Sequence, residues 1–291
     1  MHKLYKNKAI IFSLVCPGLL LFFGVVLVPI ILSFYYSLTD FSGLSAAKFV
    51  GFENYANLLK DPVFIRSLRN SLILALAAIL FQHPLAMLTA IVLDRLPRRF
   101  ENLLRCVFFI PDVISVAIIA ELWRFIYNPN YGLLKKVLEF FGYTQPFNAL
   151  GVNTALYAVI FVTLWHGFGW AMLIFYAGIK NIDPQQYEAS ALDGASGLKE
   201  FFYITLPEMK PIILYHLIQT FVTSLKTMEI VYQMTNGGPM ERTQFIAVYL
   251  YKQGFTNYRY GYGSAIGIVL VVACIVSTVV LKALFREKEA D

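Results

Sequence analysis

Long runs without a charged residue constrain the fold of this 291-residue chain more than any other feature. Residues 9–39 and 70–93 contain no Asp, Glu, Lys or Arg, and neither do residues 140–179 and 260–281. A helix needs about 20 mostly apolar residues to cross a hydrocarbon core of about 30 Å. Only 14% of the residues are charged, whereas a soluble domain carries about 25%. The composition excludes an ordinary water-soluble enzyme and predicts an all-α membrane protein.

We predict six transmembrane helices in a single domain, residues 1–291. Four of them follow from the charge-free runs, and two weaker ones contain Asp112 or the pair Lys226 and Glu229. The predicted spans run roughly over 10–36, 68–93, 104–126, 154–178, 211–234 and 261–284. The basic start resembles a signal peptide, but the apolar run behind it exceeds the usual 7 to 15 residues, so we expect an uncleaved first helix.

The distribution of Lys and Arg between the loops predicts the orientation. These residues are about twice as dense in loops 1–8, 95–105, 180–210 and 282–291 as in loops 37–69, 124–152 and 235–260. Because cytoplasmic loops carry the excess of basic residues, both termini are predicted to be cytoplasmic. The formal charge of +6 is explained in this way, and no nucleic-acid partner is expected.

Sequence motifs for catalysis, nucleotides and metals are absent. A phosphate-binding G-x-x-x-x-G-K-[ST] loop is excluded because the dipeptide Gly-Lys does not occur. We therefore expect no cofactor on this chain, with any ATP and Mg²⁺ bound by partner subunits. The H-E-x-x-H and G-x-S-x-G motifs are missing and the four histidines are dispersed, so neither a metal site nor a catalytic residue is predicted.

The connection 183–207 is predicted to form two short cytoplasmic helices. Asp183 as N-cap, Pro184 at the first helical position and Gln186 at N3 predict a helix that ends at Gly194. Ser196 is expected to cap a second helix, which Pro207 should end. Small residues here would let another protein approach the backbone closely, and the alternative is a solvated loop at the membrane surface.

The fifth predicted span carries a polar stripe. Its members are His216, Gln219, Thr220, Thr223, Lys226 and Thr227, which share one helical face. Because a Lys in hydrocarbon costs about 2.5 to 3.5 kcal/mol, the stripe must face protein or water. We predict a pathway for a hydroxyl-rich solute, with Trp165 and Trp170 available to stack on sugar rings. The alternative is polar contact between helices, with Lys226 and Glu229 neutralising each other.

The last span contains Gly263 and Gly267 in a G-x-x-x-G pattern. Two glycines at this spacing let helices approach each other closely in membranes. The pattern predicts close helix packing and favours, weakly, a contact with another subunit.

The connection 183–207 also carries a recognisable motif. The segment E-A-S-A-L-D-G-A over residues 188–195, followed by I-T-L-P over 204–207, resembles the E-A-A…G…I-x-L-P loop of binding-protein-dependent ABC importer permeases. Ser190 departs from the usual second alanine. V-G-F-E-N-Y at 50–55, the third-span region with F-I-P at 109–111, and T-N-G-G-P at 235–239 resemble the carbohydrate branch of that family.

The resemblance implies a type I ABC importer permease with cytoplasmic coupling helices, in a prokaryotic plasma membrane. Its function would be carbohydrate import, of a di- or oligosaccharide, as a non-catalytic subunit. Expected partners are a second permease subunit in a heterodimer, a homodimer of cytoplasmic ATPases and an extracellular or periplasmic sugar-binding protein. The coupling residues would be Glu188, Ala189, Ser190, Ala191, Asp193, Gly194, Ile204, Leu206 and Pro207.

Two other functions remain open at this point. A secondary transporter would work alone on an ion gradient, but such folds usually show repeated halves and broken helices, and we expect neither here. A purely structural membrane anchor is compatible with the loop, but it leaves the polar stripe of the fifth span without a role.

Overall fold

The computed structural model describes residues 8–43, 46–143, 145 and 147–285, with side chains from residue 11 onward. Over these ranges the chain is helical and forms no β-strand, only an isolated antiparallel bridge between Thr39 and Phe49. The predicted all-α fold is confirmed. Of the residues counted for the orientation, 1–7, 44, 45, 144, 146 and 286–291 lie outside the described part of the chain.

The helices follow one another with short connections. In chain order they are α1 Lys8–Phe22, α2 Val28–Ser37, α3 Glu53–Lys60, α4 Pro62–Ala77, α5 His83–Asp94, α6 Arg98–Val113, α7 Val116–Ile126, α8 Leu133–Phe140, α9 Ala155–His166, α10 Phe168–Lys180, α11 Pro184–Leu192, α12 Leu198–Glu200, α13 Leu206–Glu208, α14 Lys210–Lys226, α15 Glu229–Thr235, α16 Ile246–Tyr251 and α17 Tyr260–Leu284. Short π-helical turns join several of them, at Phe23–Leu27, Ala78–Gln82, Phe201–Thr205 and Lys252–Thr256.

Three helices are long and apolar enough to cross a membrane, namely Ile11–Ser37, Pro62–Asp94 and Tyr260–Leu284. They coincide with three of the predicted spans. Two bent pairs, α6 with α7 and α9 with α10, pass the same test together, so the described residues supply up to five spans. The predicted fifth span is divided between α14 and α15 and does not qualify. Six spans with cytoplasmic termini therefore stay a prediction.

Two of the predicted spans are broken helices. α6 and α7 meet at 94°, because Ile114 and Ser115 have extended backbone with ψ of 137° and 134°. α9 and α10 meet at 42° around Gly167, which belongs to neither helix. The expectation that no span would be broken was wrong, and this feature does not separate a secondary transporter from the other functions.

A third break separates α14 from α15. The hydroxyl of Thr223 donates to the carbonyl of Gln219 at 2.9 Å, and that of Thr227 to the carbonyl of Thr223 at 2.8 Å. Such bonds to the preceding turn compete with the helix and bend it. The helix ends at Lys226, and no ion pair joins that residue to Glu229 in the described part of the chain.

The chain divides into two compact units, Met1–Asp61 with Leu250–Val271, and Pro62–Tyr249 with Val272–Asp291. In the first unit the buried Asn54 amide donates to the carbonyls of Ser37 and Thr39, both at 2.8 Å. These bonds fasten α3 to the end of α2.

The G-x-x-x-G face of α17 is occupied inside the first unit. A Cβ added at Gly263 would stand 2.9 Å from the Cα of Gly254, and one at Gly267 would stand 3.4 Å from the side chain of Leu250. The predicted close packing is therefore made, at these positions, with this chain's own segment 250–254. A contact with another subunit at this face stays a prediction.

Two apolar clusters form the core of the second unit. One joins α4, α7, α9, α15 and α16 around the fully buried Phe245 and Val231, and the other joins α5 and α10 around Met172 and Phe175. Where α10 crosses α6, a Cβ at Gly169 would meet the Phe108 carbonyl and stand 2.7 Å from the Cα of Phe109. Only glycine fits at this crossing, where α10 packs against α6 a few residues before the break at Ile114.

Candidate solute cavity and coupling segment

A polar cavity of about 240 Å³ lies inside the second unit. It opens where the π turn Ala78–Gln82, the α6 break, the α9–α10 junction and α14 come together. Its walls are Leu74, Ala78, Gln82, Asp112, Thr163, Leu164, His166, Gly167, Trp170, His216, Gln219, Thr220, Thr223, Ser224 and Thr227. Most of these side chains carry hydroxyl, amide or imidazole groups, which suit a solute rich in hydroxyls.

Six of the eight residues predicted for the solute pathway line this cavity. They are Trp170, His216, Gln219, Thr220, Thr223 and Thr227. Trp165 instead packs edge to face on Trp123, with 5.3 Å between ring centroids. Lys226, the last residue of α14, also lies outside the lining.

The three helix breaks all reach the cavity. Asp112 stands two residues before Ile114, Gly167 is the α9–α10 junction, and Thr227 follows the end of α14. Non-helical backbone at membrane depth is tolerated only where it is buried in protein or lines a water-filled cavity. The breaks therefore mark the place where polar groups and backbone are available to a solute.

Asp112 is a cavity residue that we did not predict. Its Oδ2 accepts a hydrogen bond from the backbone N–H of Trp170 at 2.9 Å. Trp170 lies in the first turn of α10, where the helix dipole favours a negative charge. The only sequence signal was a lone carboxylate in an apolar run, which is by default a candidate for a functional site.

His216 is another polar group buried in the wall, with 4% of its surface exposed. Its ring stacks on His83 with 4.4 Å between centroids, and His83 bonds the hydroxyl of Thr220 at 2.9 Å. Neither ring nitrogen of His216 has a hydrogen-bond partner among the described residues, and the same holds for Oε1 of Gln219 and Nε2 of His166. Because buried polar atoms normally have partners, these atoms are available to a solute or to water.

No group of three or more His, Cys, Asp or Glu side chains is placed to hold a metal ion in the ranges that the structure describes. The dispersed sequence positions of His83 and His216 gave no sign that their rings would stack. What the cavity offers is hydrogen bonding from many neutral groups and one carboxylate.

The first helix of the connection 183–207 is formed as predicted. The Asp183 carboxylate accepts from the N–H of Gln185 at 2.9 Å, which caps the start of α11. At the other end Gly194 has φ of +75°, and the N–H of Ala195 donates to the carbonyl of Ser190 at 2.9 Å. This is the Schellman arrangement, which needs a residue that tolerates the left-handed region.

The second helix differs from the prediction at both ends. Its N-cap is Gly197, with φ of +60°, and not Ser196. Pro207 does not end it, because the backbone stays helical from α12 through the π turn Phe201–Thr205 into α13. Pro207 then lies in the first turn of α13, where its missing N–H needs no partner.

Exposure separates the predicted coupling residues into two groups. Those on the surface are Glu188, Ala189, Ala191, Asp193 and Gly194. Ser190 is buried, with its hydroxyl bonded to the carbonyl of Tyr187 at 2.9 Å, while Ile204, Leu206 and Pro207 are half-buried. The structure adds Leu192, which is 90% exposed at the end of α11 and which the sequence pattern did not single out.

Two ion pairs lie where this segment meets the helices of the second unit. Arg95 pairs with Glu200 of α12 at 3.1 Å. Lys180, at the end of α10, pairs with Asp94 at 2.6 Å. The first pair attaches the segment 183–207 to the end of α5, and the second joins the end of α10 to the end of α5 just before the segment begins.

The T-N-G-G-P segment forms a turn after α15. Gly237 has φ of +79° and lies against the side chain of Gln244. The Asn70 amide donates to the carbonyls of Arg242 and Gln244, at 2.9 and 2.8 Å. These two bonds hold residues 242–244, which follow the turn, against α4.

Long apolar helices, broken spans around a polar cavity and an exposed helix at the end of α10 define a membrane transport protein. Residues 82–289 match the family described as binding-protein-dependent transport system inner membrane component. The chain belongs to this family, as its E-A-A-like loop suggested.

Known proteins resemble the chain over nearly its whole length. It is 36% identical to the probable ABC transporter permease protein YurN of Bacillus subtilis (strain 168), over 98% of this chain and 99% of that protein. The arabinooligosaccharides transport system permease protein AraP of the same organism is 31% identical, over 96% of this chain and 89% of that protein. Both likenesses include the cavity and the coupling segment.

A solved structure shares the fold. A chain in the crystal structure of a bacterial alginate ABC transporter, in complex with an alginate pentasaccharide-bound periplasmic protein, superimposes with a TM-score of 0.85. The likeness covers 97% of this chain and 95% of that chain at 22% sequence identity. The helical arrangement described above is thus that of an ABC importer permease.

Proposed function

We propose that this chain is the non-catalytic transmembrane subunit of an ATP-driven, binding-protein-dependent importer of di- or oligosaccharides in a prokaryotic plasma membrane. The observation that carries the proposal is the cavity of hydroxyl, amide and imidazole groups in a chain of this permease family. The substrate named for AraP and the alginate of the solved structure favour a carbohydrate solute.

The proposal includes the topology. Both units act as one permease domain with six spans and cytoplasmic termini, and α14 with α15 supplies the fifth span. A span with a break and polar side chains is acceptable in a bilayer when its neighbours and the cavity cover it. A second permease subunit completes the pathway, and an extracellular or periplasmic sugar-binding protein delivers the solute.

A homodimer of ATPases docks on segment 183–207 and binds the ATP and Mg²⁺. Leu192 and the carboxylates of Glu188 and Asp193 present one apolar and two charged contacts for that partner. α11 starts four residues after α10 ends, and the first turn of α10 is bonded to Asp112. A push on the segment therefore moves α10 as a rigid rod and displaces the cavity wall, which is a route to alternating access.

The cavity also favours a particular solute charge. Asp112 accepts hydrogen bonds from sugar hydroxyls, and its negative charge disfavours an anionic sugar in a site of low dielectric. His216 and Gln219 donate to or accept from the remaining hydroxyls. The expected cargo is a neutral oligosaccharide.

Co-purification tests the assembly. The tagged full chain is extracted from its native membranes, and the proteins that remain bound are identified by mass spectrometry. We expect a second permease and an ATPase with a G-x-x-x-x-G-K-[ST] motif. A chain that purifies alone and takes up solute under a proton or sodium gradient would contradict the proposal and favour a secondary transporter.

A surface variant tests the coupling segment. Leu192→Asp places a charge on a side chain that is 90% exposed, so the fold of the chain is retained while docking of the ATPase is lost. Leu59→Asp is the matched control, because Leu59 is 76% exposed and lies on α3, outside the coupling segment. Equal recovery of the ATPase with both variants would show that the segment does not dock it.

A further inference from the structure

The short helix α8 has two chemically distinct faces. Leu133, Val137, Phe140 and the following Phe141 share one face, at spacings i, i+4, i+7 and i+8, and Lys136 borders that face at i+3. The long side chain of a lysine at such an edge can reach water while its methylene groups stay in a nonpolar medium. Lys135 and Glu139 lie on the opposite face and pair with each other at 3.6 Å. A helix of this kind places its apolar face in a nonpolar medium and keeps its charged face in water.

The apolar face is not covered by this chain. Phe140 is 85% exposed and Phe141 is 79% exposed, although each is a large aromatic side chain. Leu133 and Val137 are also exposed. Contiguous apolar surface of this kind marks a contact with a membrane or with another protein.

The position of α8 indicates which of the two it is. An apolar cavity of about 480 Å³ separates α8 from the last turns of α7 and the first turns of α9. Trp123 and the following Tyr127 line it from the end of α7, and Leu133, Leu134 and Val137 line it from α8. Two residues of the exposed face of α8 thus border this open groove, which acyl chains can enter. α8 therefore lies beside the end of α7 and the start of α9, which are termini of two candidate membrane spans. The bilayer interface is expected at such termini.

The exposed surface continues from α8 onto α9. Tyr157 and Phe161, on the wall of the same cavity, are 69% and 53% exposed and belong to a candidate membrane span. Phe161 packs one edge on Trp123, at 5.5 Å between ring centroids, but about half of its surface stays exposed. A membrane span turns such exposed apolar surface toward lipid. The face of α8 extends this lipid-facing surface without interruption.

We propose that α8 lies in the plane of the bilayer interface, with Leu133, Val137, Phe140 and Phe141 among the acyl chains. The charged face, with Lys135 and Glu139, points to water. The helix thereby anchors the connection between α7 and α9 to lipid and keeps the breaks beside the cavity at a fixed depth.

Spin labels on neighbouring residues test the proposal. Cys16, Cys106 and Cys274 are the free cysteines of the described chain and are first replaced by Ser. A nitroxide is then attached to Phe140→Cys or, as the matched control, to Glu139→Cys. The full chain, with any proteins that co-purify with it, is reconstituted in vesicles of phosphatidylcholine and phosphatidylglycerol. Label collisions with oxygen and with a water-soluble nickel chelate are then measured.

The expected result is a higher ratio of oxygen to nickel collisions at position 140 than at 139. A label at Phe141→Cys should repeat the result for 140, which guards against a local disturbance by one label. A ratio at 140 equal to that at 139 would place the face in water, and exclusion of both reagents would place it against a protein. Either result overturns the proposal. The measurement needs no solute or ATP, so it stands or falls separately from the proposed transport function.

Discussion

Asn70→Asp should unfold the second unit more easily, although the two side chains have nearly the same shape. The Asn70 amide donates to the carbonyls of Arg242 and Gln244, and an ionised Asp has no hydrogen to donate. Two hydrogen bonds at about 1 kcal/mol each, and one buried acceptor left without a donor at about 1 kcal/mol or more, give a loss of about 3 kcal/mol. Repulsion between the new carboxylate and the two carbonyl oxygens adds to this loss.

The assay is thermal unfolding of the purified protein in detergent, followed by intrinsic fluorescence. A loss of about 3 kcal/mol corresponds to a fall in the midpoint of about 6 to 12 °C for a chain of this size. Asn57→Asp is the control, because Asn57 is exposed on α3 and should move the midpoint by much less. A fall of similar size for both variants, or none for Asn70→Asp, would refute the role given to these two bonds.

Three further substitutions test the cavity and the packing around it. Asp112→Asn keeps an acceptor for the Trp170 amide but removes the charge. Loss of a charged hydrogen bond to the sugar, at about 1.5 kcal/mol, should raise the sugar concentration for half-maximal uptake about tenfold. An unchanged concentration would show that Asp112 does not bind the sugar. Gly169→Ala forces a methyl group into the backbone of α6 and should cost about 1 to 3 kcal/mol in a thermal melt, whereas Gly24→Ala, which meets nothing within 4 Å, should be neutral. Thr220→Val removes the hydroxyl bonded to His83 and should lower stability by about 1 kcal/mol; equal melts for this variant and the native protein would argue against that bond.

Local signals in the sequence predicted the parts of the fold that depend on local physics. The charge-free runs coincide with the helices Ile11–Ser37, Pro62–Asp94 and Tyr260–Leu284, since length and hydropathy suffice for such helices. The cap at Asp183 and the stop at Gly194 followed from side chains that act within one turn.

The helix breaks could not be read from the sequence, because they depend on partners far along the chain. The break at Ile114 and Ser115 lies next to Asp112, which accepts a hydrogen bond from the Trp170 amide. No local sequence pattern predicts a bond between residues so far apart in the chain. Helical projection placed Thr220 and His216 on one face correctly, but it assumed a straight helix beyond Lys226.

The side chains around the cavity show the same limit. Periodicity identifies a polar face but not what lies opposite to it, so Gln82 and His166 were missed although both line the cavity. Trp165 was assigned to the pathway by its residue type, and its ring is instead turned toward Trp123. These side chains can be assigned only once the packing of α10 against α6 is known, and the sequence does not give that packing.

Transport by the reconstituted assembly tests the central claim most directly. The chain and its co-purified partners are placed in vesicles, ATP is supplied on the side of segment 183–207, and accumulation of a labelled neutral oligosaccharide is measured with the matching binding protein outside. We predict accumulation that requires ATP and is lost with Leu192→Asp but not with Leu59→Asp. Accumulation by this chain alone, driven by an ion gradient and indifferent to ATP, would contradict the account.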